Sequence, residues 1–97
     1  MSINDPKYSF SQDRITNVAS GEVVPEDEPC MVFRARDRHA ISVIKHYISQ
    51  LIEDPDVPSE HLNAVLGRLD AFREFRADHP QRMKAPDTLL TPGDNND

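Results

Sequence analysis

Apolar residues in the middle of the chain recur with the period of a helix. Ala40, Ile41, Val43, Ile44, Tyr47, Ile48, Leu51 and Ile52 follow i, i+3, i+4 spacing, which predicts an amphipathic helix over 37–53. Asp37 is the expected N-cap, because its carboxylate can accept from the free amides of the first turn. At 100° per residue these positions cover about half the helix circumference, wider than the ~100° stripe that one contact needs. The helix is therefore expected to pack on two sides, with His39, Ser42, His46, Gln50 and Glu53 on its polar arc. A loop with two prolines follows, Asp54 to Ser59. Leu62, Val65, Leu66, Leu69, Phe72 and Phe75 then mark a second helix over 59–79, capped by Ser59 and stopped by Pro80. So short a loop between two helices implies an antiparallel hairpin.

Upstream the period changes from 3.6 to 2. Cys30 to Arg36 alternates, with Met31, Phe33 and Ala35 on one face and Cys30, Val32, Arg34 and Arg36 on the other, which predicts a strand over 30–36. Residues 15–25 hold β-branched residues around a Ser20-Gly21 breaker, as two short extended pieces or one bent strand. Pro25 and Pro29 bracket the acidic turn Glu26-Asp27-Glu28. The expected fold class is α+β: short N-terminal strands packed against an antiparallel two-helix hairpin, forming a single domain over 15–80. Residues 1–14 are polar and expected to be a flexible arm. Residues 81–97 are expected to be an extended or disordered tail, with Met83-Lys84-Ala85-Pro86 able to lie against the body.

Size changes this picture. Of 97 residues, roughly 60–65 remain for a core, where a lone domain is marginal without disulfides, metal or oligomerisation. The single cysteine, Cys30, excludes an internal disulfide, and no Cys/His spacing resembles a structural zinc site. A homo-oligomer is the remaining expectation. The net charge of −6 argues against general nucleic-acid binding, which depends on neutralising phosphates. No apolar run is long enough to span a membrane, and no basic region followed by an apolar run resembles a signal peptide. The expected setting is a reducing cytoplasm, with Cys30 a packing residue of its strand.

Candidate chemistry concentrates where strand is expected to become helix. Arg34, Arg36, Arg38 and His39 surround that junction, and guanidinium groups grip phosphate or carboxylate bidentately. Strand alternation would place Arg34 and Arg36 on one face and leave Arg38 beyond it. These four residues are the expected ligand-binding set, for a small anion such as a nucleotide. Internal pairing of the arginines with Glu26, Asp27 and Glu28 is the competing explanation. His39 and His46 lie two turns apart, about 10 Å along a helix axis, too far to share one metal ion. His61 and His79 are expected to make local contacts at helix ends. Cys30 beside an acidic turn has the wrong field for an activated thiol, and acid–base work by the acidic turn is a distant third possibility. No catalytic residue, metal site or cofactor is expected.

The stretch Val24-Pro25-Glu26-Asp27-Glu28-Pro29, the apolar run after it and Arg34-Ala35-Arg36-Asp37-Arg38-His39-Ala40 resemble a family of small uncharacterised proteins of tailed phages and prophages. Phe72-x-x-Phe75 and Lys84-Ala85-Pro86-Asp87 extend the resemblance over about residues 24 to 88. It implies a phage accessory protein acting in the host cytoplasm, in a class that includes inhibitors of host enzymes and counter-defence proteins that sequester signalling nucleotides. It assigns no site residues. The expectation is thus a non-enzymatic, oligomeric binding module for a small anionic ligand. The alternative is an adaptor or inhibitor that binds a host protein through the second helix and the tail.

Overall fold

A computed structural model of the chain describes residues 5–11 and 14–86. The element order is β1 (Tyr8–Ser11), β2 (Arg14–Asn17), α1 (Ala40–Glu53), α2 (Ser59–Asp78) and a single 3-10 turn, Pro80–Arg82. The class is α+β, a two-stranded antiparallel sheet plus two helices. The chain divides into two compact units, Met1–Val32 and Phe33–Asp97, where a single domain over 15–80 was expected.

The first unit is a small β meander. β1 pairs with β2 in antiparallel register, setting Phe10 opposite Ile15 and Ser9 opposite Thr16. An aromatic facing a β-branched residue is a favourable cross-strand pair. The expected flexible arm over 1–14 is therefore corrected, since half of the hairpin lies inside it. After β2 the Asn17 carboxamide oxygen accepts from the Ala19 and Ser20 amides at 2.9 and 3.1 Å. Gly21, at φ 77°, supplies the left-handed step that returns the chain. Val23 then bridges back to Thr16, so the residues around the Ser20-Gly21 breaker form two extended pieces.

The strand expected over 30–36 is absent. Met31 and Val32 are 78 and 59% exposed, and the Asp37 amide donates to the Arg34 carbonyl at 3.0 Å, closing a turn. Alternation describes which way side chains would point, but a strand exists only where a neighbouring edge accepts its backbone hydrogen bonds. Among the described residues no strand pairs with 30–36.

In the second unit α1 and α2 form a hairpin across the Asp54–Pro58 loop. Ile41, Ile48 and Leu69 are buried at its centre, with Ile44, Leu62, Val65 and Phe72 packed against them. Ala40 and Leu51 are also buried. These are the middle positions of the broad apolar arc on α1; its edges, Val43, Tyr47 and Ile52, stay 41, 46 and 66% exposed. The expectation of a helix packed on two sides is met on one side among the described residues of this unit.

The helix ends shift from their expected places. α1 starts at Ala40, with His39 in the cap position and no side-chain cap bond. Asp37 is a turn residue instead: its carboxylate accepts the His39 amide at 2.8 Å and its carbonyl the Ala40 amide at 3.1 Å. Pro58, not Ser59, precedes α2, an extended residue that leaves Ser59 as the first helical position. α2 stops at Asp78, one residue short of the expected end, because Pro80 cannot continue the ladder. The expected tail over 81–97 is corrected at its start. Arg82 belongs to the 3-10 turn; Lys84, in the stretch expected to be able to lie against the body, forms a parallel bridge with Asp37, and 87–97 lie outside the described residues.

Candidate functional site

The bridge between Asp37 and Lys84 ties the two ends of the helical unit together. The Lys84 amide donates to the Arg36 carbonyl at 2.9 Å, and the Arg38 amide donates to the Lys84 carbonyl at 3.0 Å. Arg36 and Arg38 thus flank Lys84 through their own backbones. Arg34, Arg38, His39 and Lys84 are exposed and Arg36 is half-buried, so the corner opens to solvent. The structure keeps the four expected residues, Arg34, Arg36, Arg38 and His39, within one short segment before α1. It removes the reason for grouping Arg34 with Arg36, because the turn at Arg34–Asp37 replaces the strand that alternation required.

Lys84, which the sequence did not assign to this corner, reaches it through the bridge. Arg82 precedes it by two residues and places its guanidinium 4.7 Å from the Phe75 ring centre, a cation–π distance. His79 lies against the same ring at 5.0 Å between centroids. The advance signal was the expectation that 83–86 is able to lie against the body, which named no partner for it.

Charge is segregated along the hairpin. The end formed by 33–44 and 70–86 holds seven arginine and lysine residues against four acids. The loop end holds Glu53, Asp54, Asp56 and Glu60 with no lysine or arginine between Lys45 and Arg68. α2 obeys the helix dipole, with Glu60 in its first turn and Arg76 in its last. α1 lacks this pattern: it has no acid in its first turn and no base in its last, it follows three arginines with Asp37 among them accepting the His39 amide, and it ends at Glu53-Asp54. A charge of the wrong sign in a terminal turn, as Glu53 is, costs about 0.3–1 kcal/mol. Local rules of this kind are commonly broken where a site needs the charge.

The remaining candidates are placed as follows. Cys30 is exposed and unpaired with another cysteine, which corrects its expected packing role; its thiol donates to the Glu28 carbonyl at 3.7 Å. His61 joins Tyr47 on α1 at 3.0 Å, Nε2 to hydroxyl, a contact between helices where a local one was expected. His46 is exposed. Among the described residues no group of three or more His, Cys, Asp or Glu side chains is placed to hold a metal ion. Among them also, no helix is long and apolar enough to cross a membrane.

No family model, curated protein or solved structure matches the chain.

Proposed function

We propose that this protein is a non-catalytic binding module that takes a small anionic ligand of the phosphate or nucleotide class at the basic corner. The observation that carries the reading is the segregation of charge: an acidic chain collects cations at one end of its helical hairpin and acids at the other. Arg34, Arg36 and Arg38 supply planar forks for phosphate oxygens. His39, exposed beside them, supplies a hydrogen-bond donor or a stacking plane. The resemblance to phage accessory proteins gives the setting for such a module, the cytoplasm of a host cell and a counter-defence role in which a signalling nucleotide is sequestered. Assembly into a homo-oligomer belongs to the same reading, supported by the exposed apolar edge Val43, Tyr47 and Ile52.

Thermal-shift screening against mono- and polyphosphates and nucleotides tests this directly, since a ligand that binds only the native state raises its stability. A stabilising anion whose effect fades with salt supports the corner as the site. Absence of any stabilising anion removes the reading, and puts an adaptor that engages a host protein through α2 and the tail in its place.

A further inference from the structure

The segment after α2 is fastened at both ends. At its start the His79 amide donates to the Phe75 carbonyl at 2.8 Å and the Arg82 amide to the His79 carbonyl at 2.9 Å, while the Arg82 guanidinium covers the Phe75 ring. At its far end Lys84 holds Arg36 and Arg38 by one backbone bond each. This fastening sets the Lys84 backbone between Arg36 and Arg38, two residues after Arg82 on the Phe75 ring. Two exposed backbone hydrogen bonds join Lys84 to the segment before α1, each of small net worth in water, so docking there is weak enough for a ligand to shift.

We infer that residues 80–86 form the second side of the anion site, and that docking of this segment and binding of a ligand with two or more phosphate groups are one coupled equilibrium. The inference rests on the anion-binding reading above. A ligand with two anionic groups can engage the arginines before α1 through one and Arg82 and Lys84 through the other. Coupling of this kind is reciprocal: the docked segment raises ligand affinity by the same factor by which the ligand favours docking.

Hydrogen exchange at the Arg38 and Lys84 amides, the two donors of the bridge, reads the docking. Inorganic pyrophosphate serves as the probe, with its affinity measured by calorimetry on the full chain and on two variants. Lys84→Ala keeps the amide and loses the charge. Lys84→Pro loses both, and the preceding Met83 already has the extended geometry (φ −72°, ψ 137°) that a following proline requires. Pyrophosphate is expected to slow exchange at both amides about tenfold or more, and Lys84→Pro to bind at least about fivefold more weakly than Lys84→Ala, within the usual range of coupling. Bound pyrophosphate with unchanged exchange at both amides, or equal affinities for the two variants, overturns the inference and leaves the anion site standing. Failure of the native chain to bind pyrophosphate overturns both.

Discussion

The Tyr47 hydroxyl lies 3.0 Å from His61 Nε2, joining α1 to α2 beside the acidic loop, with the two rings edge to face at 84°. It is a solvent-facing contact, whereas the hairpin itself is held by the apolar seam of Ile41, Ile48 and Leu69. Magnitudes separate the two. Tyr47→Phe should lower stability by no more than about 0.5–1.5 kcal/mol, the net worth of a hydrogen bond. Leu69→Ala, at a position only 6% exposed, should cost about 2–5 kcal/mol. Urea denaturation of both variants checks the order, and a larger loss for Tyr47→Phe would relocate the core.

Cys30 provides a second test. Its thiol is exposed, so Cys30→Ala should change stability by less than about 0.5 kcal/mol, as surface substitutions do. A thiol reagent should modify the native protein at the rate of an unfolded peptide. Protection from the reagent would mean that another surface covers this residue.

Assembly is the third. The edge of α1 formed by Val43, Tyr47 and Ile52 is exposed in the single chain, although such residues favour burial. Sedimentation at micromolar concentration should show more than one chain per particle, and Val43→Glu with Ile52→Lys should reduce it to one. A monomeric native protein contradicts the oligomer.

Within the basic corner, the structure groups Arg36 with Arg38, on either side of Lys84. Removing one charge-assisted contact should weaken anion binding about tenfold to a hundredfold, corresponding to roughly 1.5–3 kcal/mol. Because Arg36 and Arg38 both flank Lys84, Arg36→Ala and Arg38→Ala should have similar effects, measured by calorimetry with pyrophosphate. Unchanged affinity in the double variant Arg36→Ala, Arg38→Ala would dismiss the corner. If the arginines serve only surface ion pairs, each replacement should cost only about 0–1 kcal/mol of stability.

The helices were legible because their signal is repeated: eight apolar positions on α1 and six on α2 agree on one period, and each agreement reinforces the others. The strands were legible in part: the extended pieces on either side of Ser20-Gly21 were expected, and β1 was not. Tyr8-Ser9-Phe10-Ser11 alternates over four residues only, among polar neighbours, too short to distinguish from chance. The longer alternation of Cys30 to Arg36 looked stronger, yet among the described residues no strand pairs with it, and only Arg36 at its end takes a backbone bond, from Lys84. The arginines of the corner were visible as a cluster. The arrival of Lys84 was not, because a pairing between residues so distant in sequence leaves no mark on local periodicity. Its evidence is the pair of backbone bonds to Arg36 and Arg38.

The central claim is that an anion binds where 34–39 and 79–86 meet. Amide chemical shifts recorded while pyrophosphate is added to the native protein test it most directly. The account predicts saturable changes concentrated in those two segments, with the acidic residues Glu53, Asp54, Asp56 and Glu60 unmoved. Changes centred on the loop end or on the exposed face of α2, or none at all, would contradict it.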